Sequence, residues 1–205
     1  MKKLQLLLLL LLVSASAFAL DVQETSSHLG LGAGYSYYAI TNEGNNAYYL
    51  YGPNITLKSG ETLKGNDNLS IVTYLSLLSP TLDSSGTGPI SFAGTTFMED
   101  LSVGLTFSRF LSEKTTVYTS IGPHISMLLL DNTYFSVLTI DLGVFMASTI
   151  RTKIENGLYF DVTSKFNLDF YEFYSLDASG YSETGSTEDF LSTGFSINVG
   201  LTYNL

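Results

Sequence analysis

The sequence predicts an all-β chain, a closed antiparallel up-and-down transmembrane β-barrel of about eight strands. Three observations carry the expectation. Apolar and polar residues alternate with period two through most of the chain after Ser27, and no window holds a helical period. The strand glycines Gly30, Gly32, Gly34, Gly52, Gly104, Gly122, Gly143, Gly194 and Gly200 all fall on the polar side of that alternation. The apolar side carries aromatic residues near the strand ends.

The elements follow in order. Leu29, Leu31, Ala33, Tyr35, Tyr37 and Ala39 share one face of the first run. Tyr49, Tyr51, Pro53, Ile55 and Leu57 mark the second, and Leu69, Ile71, Leu75 and Leu77 the third. The fourth has Phe97, Leu101, Val103, Leu105 and Phe107 against Asp100, Ser102, Gly104, Thr106 and Ser108. Val117, Ile121, Pro123, Ile125 and Met127 define the fifth, and Leu138, Ile140, Leu142, Val144 and Met146 the sixth. The seventh has Leu158, Phe160, Val162, Phe166, Leu168 and Phe170 opposite Asp161, Thr163, Lys165, Asn167 and Asp169. The chain ends on an eighth run from Phe195 to Leu205.

A soluble β-sandwich would also alternate, so the other two observations decide. A narrow closed barrel has little room inside, and small residues belong on its inner face. A girdle of Tyr35, Tyr37, Tyr49, Tyr51, Phe97 and Phe170 at one interface, and of Phe107, Phe160 and Tyr203 at the other, suits a membrane. Compact turns are expected near Ser59–Asp67, Arg109–Lys114 and Thr152–Gly157, and long loops at Ser79–Gly94 and Glu172–Asp189. Lys58, Lys64, Arg109, Lys114, Arg151 and Lys153 lie in or beside the short turns. The last long loop is acidic, with Glu172, Asp177, Glu183, Glu188 and Asp189. Pro53 and Pro123 fall inside strands, where each is expected to mark a bulge. The third run loosens its pattern around Val72 and Leu78.

The first 19 residues read as a cleaved export signal: Lys2 and Lys3, the apolar run Leu4 to Val13, then Ala17-Phe18-Ala19. That run is about 10 residues, half of what a spanning helix needs. Residues 20–205 then form one barrel domain. Removing Lys2 and Lys3 from 9 basic against 19 acidic residues leaves a mature charge of −12, which excludes a nucleic-acid partner. With no Cys, the fold has no disulfide and no thiol chemistry. No P-loop, G-x-S-x-G or H-E-x-x-H is present, and no cofactor or metal is expected.

One constellation holds candidate chemistry. Hairpins centred on the turns put His124 across from Asp100 and Asp141 within about two residues. Asp141 then lies near Asn167 or Asp169, with Lys165 a step below. With Arg151 and Asp161 these form a polar set inside the barrel. A His flanked by carboxylates can act as a general base. A structural network is the competing reading, since charges in a narrow lumen must be paired. No serine nucleophile is marked out.

The terminal run Phe195-x-Ile197-x-Val199-x-Leu201-x-Tyr203-x-Leu205 resembles the strand that the barrel assembly machinery reads in outer-membrane proteins, although these usually end in Phe. The mature chain resembles small eight-stranded barrels of the OmpA-transmembrane, OmpX and OmpW kind. The resemblance implies a bacterial outer-membrane location, contact with lipid, delivery by periplasmic chaperones, and a monomer. It implies a non-enzymatic barrel displaying acidic surface loops to a possible extracellular ligand. An OmpW-like narrow channel for small hydrophobic molecules stands as the alternative, with Leu50, Leu78, Leu128 and Phe145 as apolar lumen surface. A barrel enzyme using His124 comes third.

Overall fold

The computed structural model describes residues 27–41, 47–62, 69–84, 88–89, 94–178, 181–187 and 191–205. The expected export signal, together with Lys64, Glu188 and Asp189, lies outside them. The strands are β1 (Ser27–Thr41), β2 (Ala47–Thr62), β3 (Leu69–Leu78), β4 (Thr81–Ser84), β5 (Gly88–Pro89), β6 (Thr95–Phe110), β7 (Thr115–Asp131), β8 (Phe135–Glu155), β9 (Leu158–Ala178), β10 (Tyr181–Thr187) and β11 (Leu191–Asn204).

Every pairing is antiparallel, and the ring runs β1-β11-β9-β8-β7-β6-β3-β2 before closing through β1–β2. Eight strands therefore form the closed wall. The short β4 prolongs the ladder of β3 on β2, and β10 stands above β11 on the same side of β9. Closure reaches the last residue, where the Leu205 N–H donates to the Ser27 carbonyl at 2.9 Å.

Local chemistry sets the turns. Asn156-Gly157 joins β8 to β9, and Gly157 takes the positive φ of 79° that such a tight hairpin needs. Ser112 Oγ accepts the N–H of Thr115 in the β6–β7 turn. At the opposite end, Asn132 Oδ1 accepts the N–H groups of Tyr134 and Phe135, so β7 and β8 join in an Asx turn.

Alternation sorts the side chains as a barrel in lipid requires. Leu31, Ile55, Leu105, Ile121, Met146, Val199 and Leu201 are exposed around the wall, with Tyr35, Phe107, Phe170 and Tyr203 among the exposed aromatics. An apolar belt this continuous suits hydrocarbon, not water. The buried side chains are largely polar or charged and point inward.

Three expectations are corrected. Pro53 and Pro123 mark no bulge. The β2 ladder runs from Asn54↔Leu78 straight to Tyr51↔Thr81, and the β6–β7 ladder from Ser102↔His124 to Leu105↔Ile121, both without a change of register. Each proline, lacking a donor, sits in a two-step gap in hydrogen bonding. The third run is fully regular. Val72 and Leu78 keep the inward phase of Ser70, Tyr74 and Ser76, and it is the apolar side chains inside that blurred the pattern. The segment Glu172–Asp189 is mostly strand, for β8 and β9 run 21 residues each and β10 pairs with the upper part of β9. Lys58 and Arg151, which flank the short turns, are buried in the lumen, where the polar set expected around Asp161 puts Arg151.

Candidate functional site

The lumen is filled in layers. Toward the termini, Asp161 on β9 collects the cations. Arg151 on β8 donates to it twice, from Nε and Nη2, each at 2.9 Å. Lys58 Nζ donates at 3.1 Å and Thr202 Oγ1 at 2.8 Å. The pairing follows from register, since Arg151 and Asp161 are direct cross-strand partners. The guanidinium also lies 4.9 Å from the Tyr118 ring centre, and Lys58 Nζ lies 5.6 Å from that of Tyr74.

Above this layer an apolar wedge of Val72, Tyr74, Phe145 and Ala147 crosses the lumen. Phe145 fits because its neighbours are glycines; a Cβ on Gly104 would stand 2.8 Å from its Cζ. A cavity of about 30 Å³ lies beside the wedge, lined by residues that include Leu31, Lys58, Tyr74, Asp161, Lys165 and Leu201. That is room for about one water.

The next layer centres on Asp100 of β6. It accepts from Tyr38 Oη at 2.7 Å, Asn167 Nδ2 at 3.0 Å, Ser102 Oγ at 3.2 Å and Lys165 Nζ at 2.5 Å. His124 pairs with Ser102 across β6–β7, and its Nδ1 lies 3.0 Å from Ser102 Oγ and 3.4 Å from Asp100 Oδ1. Its Nε2 faces Asp169 Oδ1 at 3.4 Å. Asp169, not Asp141, is thus the second carboxylate against the imidazole.

Ser102, His124 and Asp169 have the order of a nucleophile, base and orienting acid. Yet Ser102 and Asp169 are fully buried, Lys165 donates to the Ser102 oxygen at 3.2 Å, and the cavity does not reach Ser102 or His124. Ser102 is thus enclosed by Asp100, His124 and Lys165, with which it packs as part of a buried polar layer.

Asp141 of β8 lies nearer the outer mouth. Ser126 Oγ donates to its Oδ2 at 3.3 Å, and Glu172 is its cross-strand partner on β9. Glu172 reaches the lumen through a β-bulge: the pairs Leu142↔Tyr171 and Gly143↔Asp169 leave Phe170 unpaired and reverse the phase beyond it. A regular strand would have turned Glu172 outward. Glu172 therefore belongs to the lumen, while Asp177 and Glu183 are exposed on the wall above the mouth. On the opposite side of the mouth, Tyr38, Leu50, Leu78, Met98 and Leu128 form an apolar cluster.

Of the residues expected inside, Asp100, His124, Lys165 and Asp169 share one contact set, and Arg151 and Asp161 a second; Asp141 stands at the mouth with Glu172. Tyr38, Lys58 and Ser102 join these contact sets, which the sequence reading did not include. Their inward phase was visible in the alternation; their partners on distant strands were not. Phe195, Ile197, Val199, Leu201, Tyr203 and Leu205 line the outer face of the last strand and terminus, all exposed.

No protein-family model matches the chain, and no curated protein matches it. Solved structures do. Neisserial surface protein A is 6% identical with a TM-score of 0.60, covering 88% of this chain and 99% of its own. A major outer membrane protein from Thermus thermophilus is 11% identical with a TM-score of 0.62, covering 89% of this chain and 100% of its own. OprG from Pseudomonas aeruginosa is 10% identical with a TM-score of 0.58, covering 90% and 99%. At such identities the likeness is one of fold; joined to the closed ring and the apolar outer wall, it makes this chain a small eight-stranded β-barrel of the outer-membrane type.

Proposed function

We propose that the chain is a monomeric, non-enzymatic protein of a bacterial outer membrane that works by surface interaction. Residues 1–19 serve as the cleaved export signal, and the strand ending Phe195-x-Ile197-x-Val199-x-Leu201-x-Tyr203-x-Leu205 is what the assembly machinery reads, after periplasmic chaperones deliver the chain. The observation that carries the reading is the height of β8 and β9. Each has 21 residues, where about 9–11 suffice to cross a bilayer, so the sheet rises above the outer rim and takes β10 with it. That raised wall carries Asp177 and Glu183 among Phe173, Tyr174 and Tyr181, and no basic residue follows Lys165 in the chain. Its partner is an extracellular ligand with positive charge. The barrel below, filled by paired side chains, acts as its anchor.

The test compares the whole barrel in nanodiscs with a version in which residues 174–185 are replaced by a two-residue turn. Both are screened against cationic, neutral and anionic polymers. Binding to cationic polymers that the shortened barrel loses is the expected result. Equal binding by both, or discrete ion conductance in planar bilayers, overturns the reading.

The cluster of Tyr38, Leu50, Leu78, Met98 and Leu128 favours a second reading, an OmpW-like narrow channel for small hydrophobic molecules. It lies beside the two-step gap in the β2 ladder. Uptake of a fluorescent alkane-like probe, lost in Leu50→Asp, would favour it over the first.

A further inference from the structure

We infer that β10 takes its partner by strand addition: an extended basic segment of an extracellular protein pairs with the open edge of β10 and continues the sheet. This rests on the raised wall meeting a positively charged partner, and it adds how that partner is held.

The topology leaves the edge open. At this height β9 is paired on both sides, by β8 from Phe135↔Ala178 to Asp141↔Glu172 and by β10 from Tyr181↔Ala178 to Thr187↔Glu172. β10 has β9 on one side only. In the wall below, the strand beyond β11 is β1. It ends at Thr41, opposite Leu191, and Thr41 pairs in turn with Ala47, where β2 begins. Among the described residues no strand therefore stands on the far side of β10. Alternate residues of an edge strand turn their N–H and C=O groups away from the sheet, unpaired. Tyr181, Ser182, Glu183, Thr184 and Ser186 are all exposed, whereas the β9 segment beside them is mostly half-buried.

Edges are commonly blunted by shortness, proline, lysine or a bulge. β5, which ends the sheet beyond β4, is two residues long and includes Pro89, which has no N–H to offer. β10 has none of these devices. Its seven residues contain no Lys and no Pro, and its register on β9 runs without a shift.

Charge selects the occupant. Tyr181, Glu183 and Gly185 share one face by alternation, and Asp177, across from Ser182, charges the other. No basic residue follows Lys165 in the chain. A second copy on this edge would bring acid against acid, and like charges opposed across strands are destabilising. An extended segment with Lys or Arg at every second residue does the opposite. It sets its cations on the face of Glu183 while its backbone supplies the missing hydrogen-bond partners.

The whole barrel in nanodiscs tests this. It is titrated with an alternating Lys-Thr peptide about as long as β10, with the same peptide N-methylated at every residue, and with an alternating Glu-Thr peptide. Hydrogen exchange of residues 181–187 is followed by mass spectrometry. The Lys-Thr peptide should bind, its N-methylated form about tenfold more weakly or worse for want of backbone donors, and the Glu-Thr peptide not at all. Exchange across β10 should slow when the Lys-Thr peptide is bound. Equal binding of both Lys-Thr forms with exchange unchanged means that side-chain charge alone holds the ligand; strand addition then fails while the charge reading stands. Binding of the Glu-Thr peptide as tight as that of Lys-Thr removes the basic partner. A barrel that binds neither Lys-Thr peptide nor cationic polymers overturns the charge reading as well. Slow exchange in a peptide-free dimer gives the edge to a second copy and overturns the inference.

Discussion

Arg151 and Asp161 meet as direct cross-strand partners and share two parallel hydrogen bonds of 2.9 Å inside the barrel. Lys58 approaches the same carboxylate from β2, on the other side of the lumen. One acid thus ties the β8–β9 hairpin to β2, 103 residues away in sequence.

Removing that acid should be severe. Asp161→Asn leaves Arg151 and Lys58 as two buried cations without a counterion. Breaking a buried pair by deleting one partner costs about 3–5 kcal/mol. Urea unfolding in detergent, followed by heat-modifiable migration on cold gels, measures it. Arg151→Met should cost less, since Lys58 remains to balance Asp161. If the two variants unfold alike, Lys58 contributes nothing to the cluster.

The lipid face of the last strand makes a second prediction. Val199 is 49% exposed and Leu201 50% on the outer wall, whereas Asn198 is 7% exposed and inward. A cation on the lipid side costs about 2–4 kcal/mol at the bilayer midplane and less toward the interface. Val199→Lys should therefore lower the folded fraction strongly in a bilayer, Leu201→Lys somewhat less, and Asn198→Lys least. Equal folding of Val199→Lys and Asn198→Lys would contradict the assignment of faces.

These contrasts show what could be read from the sequence. All eight wall strands were legible, because one face of each must meet lipid and period two records it. The inward residues were legible for the same reason, which is why Asp100, His124 and Lys165 were picked out together. Two things were hidden. The bulge at Phe170 adds one residue without any local mark such as Gly or Pro, so Glu172 read as a loop acid. The lumen contacts depend on which side chains meet across the barrel. Tyr38 to Asp100 and Lys58 to Asp161 span 62 and 103 residues, a distance no local pattern encodes.

Ser102 gives a third prediction. Its oxygen lies 3.0 Å from His124 Nδ1, the spacing of an activated serine, but it is fully buried and also bonded to Asp100 and Lys165. The folded barrel should not react with a fluorophosphonate probe. His124→Ala should instead destabilise it by about 1–3 kcal/mol, since Ser102 and Asp100 lose a buried neighbour. Probe labelling that disappears in Ser102→Ala would show an accessible nucleophile and overturn the non-enzymatic reading.

The raised wall gives the last. Tyr174 Oη donates to Glu183 Oε1 at 3.2 Å, and Tyr181 Oη donates to Oε2 of the same carboxylate. Gly185 permits this, because a Cβ there would stand 2.6 Å from the Tyr174 hydroxyl. Hydrogen bonding to Glu183, then its negative charge, raises both phenol pKa values above the ordinary value of 10.0. A phenol raised in the folded state favours folding below its unfolded pKa, and that contribution fades as pH rises through the folded value. The wall should therefore keep its order through neutral pH and loosen only in strong alkali. Ultraviolet absorbance of the phenolate, taken as wild type minus Glu183→Gln, isolates these two tyrosines from the others. The variant should form phenolate at lower pH than wild type, and Gly185→Val should do the same by displacing Tyr174. Superimposable titration curves for wild type and Glu183→Gln would mean that the carboxylate does not hold either hydroxyl.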